Sequence, residues 1–248
     1  MPERDLSRPD HLPNLRPGRQ PRKPGWLPRQ RRGVTPQMIG RYPDYDVFDA
    51  RDTWDPATAR VIDARMKIRY GDPLTFFIPE EAPTGRAFCD TCTAQDGDPR
   101  VPVLELVDRK LAAGQLDGYQ YAGMPDDRDT WRLVLAGLDE TAAERYGCPS
   151  FAACEWEAAE GIVGHLSQGL LGGGSWEKLD VKRAWSVCSR MIVSAFYSHP
   201  WAWNEIGFGG PAYPRGFMRM GPVSFREPFE KPGATNEDPA AATRRGDV

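Results

Sequence analysis

The sequence predicts an all-α protein, built as a single irregular helical domain of about six helices. Apolar residues recur at helical spacing in several segments between 55 and 198. Helix start and stop signals bracket these segments. No stretch in 55–198 alternates as a strand should, apart from a short run at 74–78.

The first three helices are predicted between residues 55 and 114. Asp55 is an N-cap residue followed by proline at the first helical position, and this helix continues to 69. A second helix is expected over 79–93, with glutamates in its first turn. The third begins with Pro102 at its first position, has an apolar face and ends at Gly114.

The other three helices are predicted between residues 124 and 198. The fourth starts in the Met-Pro-Asp-Asp run at 124–127 and closes at Gly147. The fifth is expected over 152–167. The sixth follows the Gly-Gly-Gly turn at 172–174, is capped by Asp180 and carries a clean apolar stripe.

Outside the helices, the chain is predicted to be irregular. The helical domain is expected over 41–230, with an extended lead-in at 41–54 and a long Gly/Pro/aromatic coil from 198. Residues 1–40 form a predicted disordered Arg/Pro-rich tail, and 231–248 a second disordered tail.

The N-terminal tail permits two interpretations. Residues 1–41 carry ten basic and three acidic side chains, although the whole chain has a net charge of -3. The tail could bind nucleic acid or another acidic surface, or it could be a solvated leader that wraps its own acidic domain or a partner. Only Trp26 supplies an aromatic ring among these arginines, so the second interpretation is favoured.

The five cysteines do not predict a metal or redox site. Cys89 and Cys92 form a CxxC pair, but a zinc site needs a second ligand pair and haem attachment needs histidine where Thr93 stands. Core thiols on one helix face are therefore expected. A bridge such as Cys148 to Cys154 across a short loop stays open, although free thiols are favoured.

Catalytic motifs are equally sparse. There is no G-x-S-x-G, P-loop or dinucleotide fingerprint. His165 is predicted to be half-buried structure, and His199 to cap the end of the sixth helix rather than act with Ser198 and Asp180. The acidic side chains on the third and fourth helices are expected to be helix caps and solvated faces; they are Glu105, Asp108, Asp126, Asp127 and Asp129.

The aromatic segment, residues 199–216, is the most informative part of the chain. It contains four aromatic rings, three prolines and four glycines. Tryptophan, tyrosine and arginine are enriched at interface hot spots, but the same rings could seal the chain's own core. The candidate partner-binding residues are Trp201, Trp203, Asn204, Glu205, Phe208, Tyr213 and Arg215. A stand-alone enzyme using His199, Glu205 and Arg215 is the alternative.

The aromatic segment resembles the C-terminal signature of the gluconate 2-dehydrogenase subunit 3 family, in its longer form. The resemblance extends over roughly 41–220. Further matching stretches are Arg-Tyr-Pro-Asp-Tyr-Asp at 41–46, Trp-Asp-Pro at 54–56, Phe-Phe at 76–77 with Pro-Glu-Glu at 79–81, the run 99–111, Met-Pro-Asp-Asp-Arg at 124–128, Trp-Arg at 131–132, Leu-Leu-Gly-Gly-Gly at 170–174 with Trp176, and Arg-Ala-Trp-Ser at 183–186.

This resemblance implies a non-catalytic accessory subunit that binds and stabilises a flavin-dependent sugar or polyol dehydrogenase, such as gluconate 2-dehydrogenase. Its implied partners are a flavoprotein of the glucose-methanol-choline type and a cytochrome c subunit. They would carry FAD and haem, while this chain would hold no cofactor or metal and have no catalytic residues.

Location is predicted differently by the residues and by the resemblance. The chain has no usable export signal of its own and no apolar run of the roughly 18 residues that a membrane span needs, which predicts the cytoplasm. The family implies a membrane-associated complex in the periplasm, and its shorter members carry a twin-arginine signal and escort the flavoprotein during export.

Overall fold

The computed structural model describes residues 46–116, 120–206 and 208–211. Every regular element in these residues is a helix, which confirms the all-α class. The α-helices are α1 (Pro56–Met66), α2 (Ala82–Cys92), α3 (Val103–Ala112), α4 (Asp127–Tyr146), α5 (Trp156–Gln168), α6 (Val181–Phe196) and α7 (Pro200–Ile206). Three 3-10 helices accompany them in this part of the chain, at Val47–Thr53, Phe151–Ala153 and Gly174–Lys178.

The predicted capping signals act as expected. The Asp55 carboxylate accepts from the N–H groups of Ala57 and Thr58 at the start of α1. Asp126 caps α4 in the same way, and Gly147 ends that helix in the left-handed conformation. These short polar side chains satisfy N–H groups that have no partner inside the helix.

Several predicted element types were wrong. The expected extended lead-in contains the 3-10 helix Val47–Thr53 because Asp46 caps it through the Phe48 N–H. The predicted fifth helix is split, since Cys154 and Glu155 have extended backbones between Phe151–Ala153 and α5. The 74–78 run is not a strand, and the segment predicted to be irregular from 198 begins with α7.

The described residues group into two compact units. The first unit contains 71–96, 103–116 and 120–194, and the second contains 46–70, 97–102, 195–206 and 208–211. The predicted domain limits at 40 and 230 lie outside the described residues and stay predictions.

The core of the first unit is built around Trp131. This side chain is fully buried on α4 and makes edge-to-face contacts with Phe77 and Phe88, at centroid distances of 5.7 and 6.0 Å. Such pairs contribute about 0.5–1.5 kcal/mol each beyond the burial of their area. Leu104, from α3, is also buried in this unit.

Two consecutive acidic residues on α4 bind residues of neighbouring helices. Asp139 accepts from the Thr84 hydroxyl and the Phe151 N–H. Glu140 accepts from both the N–H and the hydroxyl of Ser175, directly after the Gly-Gly-Gly turn. The carboxylate of Glu140 therefore occupies the N-terminus of a 3-10 helix, the kind of position where glycine-rich turns often bind an anion.

Two acidic residues of α3 are buried, which corrects their prediction as solvated or capping groups. Asp108 is 1 % exposed and accepts from the backbone N–H groups of Thr75, Phe76 and Phe77. Glu105 is 2 % exposed and accepts from Arg86 Nε at 2.7 Å. The two carboxylates supply hydrogen-bond acceptors to backbone N–H groups of the irregular segment 71–77, which have no partner within a helix or sheet.

Asp127 is also buried, whereas Asp126 and Asp129 are exposed at the start of α4. The sequence did contain a signal for Asp108. It is the i+4 member of an i, i+3, i+4, i+7 stripe that otherwise consists of Leu104, Val107 and Leu111. A carboxylate in an apolar stripe indicates a buried acceptor with a specific partner.

We predict that Asp108→Asn destabilises the protein by about 1–3 kcal/mol. The amide keeps the shape of the side chain but replaces one acceptor oxygen with a donor, which leaves at least one N–H of 75–77 unpaired. Denaturant unfolding measures the change. Glu144→Gln, an equal loss of charge at an exposed site on α4, is the control, and an equal effect of both variants would contradict the assignment.

We also predict that Gly137→Ala is destabilising although alanine is the better helix former. An added Cβ would lie 2.5 Å from Trp176 Cε2. Overpacking of this kind costs about 1–3 kcal/mol, more than the gain in helix propensity of at most about 1 kcal/mol. Gly172→Ala is the control, because the added carbon meets open space there, and it should leave the thermal midpoint nearly unchanged. If the midpoint of Gly137→Ala is at or above that of the wild type, Trp176 moves aside without cost and the prediction is wrong.

Candidate partner-binding surface

The aromatic segment begins with a helix cap. His199 is fully buried, and its Nδ1 accepts from the Trp201 N–H at 3.3 Å. Pro200 follows at the first position of α7, where its missing N–H has no cost. His199 therefore caps the start of α7 as an acceptor, not the end of α6 as predicted.

Ser198 and Asp180, the two residues considered as partners of His199 in a catalytic set, make local contacts of their own. The Ser198 hydroxyl donates to the carbonyl of Ala195 rather than to a histidine. Asp180 accepts from the Arg183 N–H at the start of α6. Each of these side chains thus has a local structural role.

Asn204 attaches α7 to the 3-10 helix Val47–Thr53. Its side chain is 2 % exposed, and its Oδ1 accepts from the Val47 N–H at 2.7 Å. Its Nδ2 lies 3.5 Å from the Asp46 carboxylate, which is an acceptor. A carboxamide fits here because one end must accept and the other must donate.

Trp203 belongs to the core of the second unit. Its ring packs in a buried cluster with Val47, Trp54 and Ile62, and its indole Nε1 donates to the Tyr197 carbonyl at 2.6 Å. Trp203 and Asn204, both predicted to bind a partner, are therefore buried within their own unit. Any contact of these two side chains with a partner stays a prediction.

Gly210 permits the chain to pass closely over this cluster. Its φ is +78°, and an added Cβ would lie 2.9 Å from Val47 Cγ2. Both the backbone conformation and the space therefore require glycine. This contact fixes the path of the segment after α7.

Between residues 197 and 208 of the second unit, four apolar side chains remain accessible, and we call them the exposed apolar set. They are Tyr197, Trp201, Ile206 and Phe208. Tyr197, Ile206 and Phe208 are 46 %, 41 % and 36 % exposed, and Trp201 is partly exposed. Phe208 is held by an edge-to-face contact with Trp203 and by its N–H, which donates to the Trp203 carbonyl.

The sequence identified Trp201 and Phe208 in this set but missed Tyr197 and Ile206. Tyr197 directly follows the apolar stripe of α6 but is not at a stripe position. The helical spacing could therefore have predicted that this ring is exposed. Of the other predicted residues, the side chain of Glu205 is not among those described, and Tyr213 and Arg215 lie outside the described residues.

The family model for gluconate 2-dehydrogenase subunit 3 matches residues 79–210, which is more than half of the chain. The chain belongs to the gluconate 2-dehydrogenase subunit 3 family. Neither the curated proteins nor the solved structures include a match to it. The matched region contains α2 to α7 and ends at Gly210, the residue that packs against Val47.

The CxxC pair of this family member has the properties of structural thiols. Cys89 is 1 % exposed, and burial raises its pKa well above the usual range. Burial also raises the pKa of Cys92, which lies one turn further along α2. Over the described ranges, no cluster of three or more candidate ligands is arranged to hold a metal ion, and none of the helices has the length and apolar character to cross a membrane.

We predict that Asn204→Asp destabilises the second unit by about 1–3 kcal/mol at neutral pH. The change is nearly isosteric but turns the end that faces Asp46 into an acceptor, so that two carboxylates meet. Their repulsion should hold the pKa of the new carboxyl above its unfolded value. The stability deficit should therefore grow as pH rises through that pKa and shrink on acidification.

A double-mutant cycle tests this assignment. Asp46→Asn keeps an acceptor for the Phe48 N–H and removes one of the two facing charges. It should recover a substantial part of the stability lost in Asn204→Asp. Strictly additive effects of the two substitutions would show that the side chains do not interact.

Proposed function

We propose that this chain is a non-catalytic accessory subunit that binds and stabilises a flavin-dependent sugar or polyol dehydrogenase of the gluconate 2-dehydrogenase type. The observation that carries the proposal is the family match over residues 79–210. The bound enzyme would be a flavoprotein of the glucose-methanol-choline type. FAD would reside on that subunit and haem on a cytochrome c subunit, with this chain holding neither.

The aromatic segment contains both buried and exposed residues, and this combination supports a docking role. Buried members of the segment, Trp203, Asn204 and Gly210, fix its backbone against the Val47–Thr53 helix. The exposed apolar set is carried on this fixed backbone. Large side chains that are ordered before association lose little further entropy on binding, which favours affinity.

The types of the exposed side chains also fit an interface. Tyrosine and tryptophan supply wide, rigid contact area and are frequent hot-spot residues. Phe208 and Ile206 add apolar surface beside them in the chain. These residues are therefore the first choice for a contact with the flavoprotein, in addition to those predicted from the sequence alone.

The proposal is tested by purification from the native cell. The full chain should bring down a flavoprotein that reduces an artificial electron acceptor when supplied with its sugar or polyol. That flavoprotein should lose activity faster on warming after the chain is removed. Recovery of the chain alone, with unchanged flavoprotein activity in a deletion strain, would refute the proposal.

We predict that Phe208→Ala and Tyr197→Ala each weaken binding to the copurified flavoprotein by about tenfold or more, as truncation of a hot-spot side chain does. The unfolding midpoint of the free chain should fall only slightly, because both side chains are substantially exposed and each truncation removes one edge-to-face ring contact within the chain. Val61→Ala is the matched control, since Val61 is a 52 % exposed apolar residue on α1 of the same unit. Titration calorimetry gives the affinities, and equal affinities for all three variants would place the interface elsewhere.

A further inference from the structure

The acceptor that caps α7 is a side chain whose charge changes near neutral pH. His199 is 0 % exposed, and its Nδ1 accepts from the Trp201 N–H at 3.3 Å. An imidazole that accepts at Nδ1 is neutral and carries its proton on Nε2. Protonation makes both ring nitrogens donors, so that two N–H groups would face each other. The cap therefore exists only while the ring is neutral.

The surroundings of His199 oppose a positive charge on its ring. An ionised side chain that is removed from water loses its hydration, which is strongly unfavourable. Arg65 of α1 donates to the Ser198 carbonyl at 3.0 Å, which places another cation at the residue before His199. The Trp201 ring, at a centroid distance of 4.4 Å, favours a cation, but a contact of this kind is weaker than the hydration that is lost.

The carboxylates on the elements beside α7 are bound elsewhere or exposed. Asp46 accepts from a backbone N–H of the 3-10 helix that precedes α1, and it lies 3.5 Å from the Asn204 amide. Asp63 of α1 pairs with Arg51 at 2.7 Å. On α7 itself, Glu205 lies six positions after the cap, more than one helical turn away. The other charged side chains of the 3-10 helix and α1 are exposed, and they are Asp49, Asp52 and Arg60.

Helix α7 carries much of the exposed apolar set. Trp201 lies in its first turn, Ile206 is its last residue, and Phe208 follows, with its N–H donating to the Trp203 carbonyl. A helix of seven residues depends on its cap and its packing, because isolated helices of this length are unstable in water. Loss of the His199 acceptor therefore loosens the segment that presents these side chains.

We propose that His199 is a pH switch for the exposed apolar set: the neutral ring caps α7 and orders this surface, and the protonated ring releases the cap and weakens binding of the flavoprotein. The effect on binding rests on the proposed function, whereas the switch is a property of the free chain. The capped form excludes the proton, and the uncapped form binds it with the ordinary imidazole pKa of about 6.5. The ordered surface is thus favoured at and above neutral pH and is lost progressively as pH falls below about 6.5.

Hydrogen exchange of the free full chain tests the switch without a partner. Protection factors of the α7 amides, which are corrected for the intrinsic pH dependence of exchange, should fall about tenfold between about pH 7.5 and pH 5.5. His199→Asn is the matched variant, because asparagine is a good N-cap residue and does not titrate, and its α7 protection should not depend on pH in this range. Unchanged protection in the wild type, or an equal loss in His199→Asn, would overturn the proposal.

Nuclear magnetic resonance of the wild-type chain gives a second readout that does not depend on the folding of a variant. The His199 ring should titrate over the same pH range in which α7 loses protection, and titration of this ring while α7 stays protected would contradict the switch. His165→Asn is the control for histidine replacement. His165 is 7 % exposed in the first unit, and burial and then the charge of Arg145 lower its pKa. The pH dependence of α7 should persist in this variant.

Titration calorimetry with the copurified flavoprotein tests the consequence for binding. The wild-type chain should bind about tenfold more weakly at about pH 5.5 than at pH 7.5, and His199→Asn should bind equally at both. If α7 loses protection as expected but no flavoprotein binds at either pH, the proposed function is wrong and the switch stands. The same pH dependence in the wild type and His199→Asn would assign the effect to the flavoprotein and overturn the inference.

Discussion

Buried backbone N–H groups must be hydrogen-bonded, and the irregular connections of this chain meet that constraint through side chains of its helices. Asp108 accepts from the N–H groups of Thr75, Phe76 and Phe77, of which Phe77 is buried, and Glu140 accepts from the N–H of Ser175. In the second unit, Asn204 does the same for Val47. These segments are therefore held by a few side-chain acceptors, of which Asp108 and Asn204 are buried. Two of the residues they hold, Phe77 and Val47, pack against Trp131 and Trp203.

The need to pair buried backbone groups also explains why some residues of the aromatic segment are buried and others exposed. His199 caps α7, and Asn204 attaches α7 to the 3-10 helix beneath it, which buries the indole of Trp203. With His199, Trp203 and Asn204 buried, the exposed positions are occupied by Tyr197, Ile206 and Phe208. Under the proposed function, these rigid apolar side chains would be the ones that contact the partner.

Much of the fold was predictable because helix signals are local. Asp55, Asp126 and Gly147 act within one turn of their own positions, so the start of α1 and both ends of α4 could be predicted from neighbouring residues. The prediction failed where a local signal was weak or misread. Asp46 was not recognised as a cap, and His199 was assigned to the helix before it instead of the helix after it.

The sequence by itself determined the helical class, the family and the position of the informative segment, since periodicity, caps and a specific string of residues are all written along the chain. Only the tertiary structure decided which aromatic rings face inward. Tryptophan is as suitable for a core as for an interface, so Trp203 and Phe208 could not be told apart by type. Trp203 is buried because it packs with Val47, Trp54 and Ile62, which are distant from it in sequence and close only after folding.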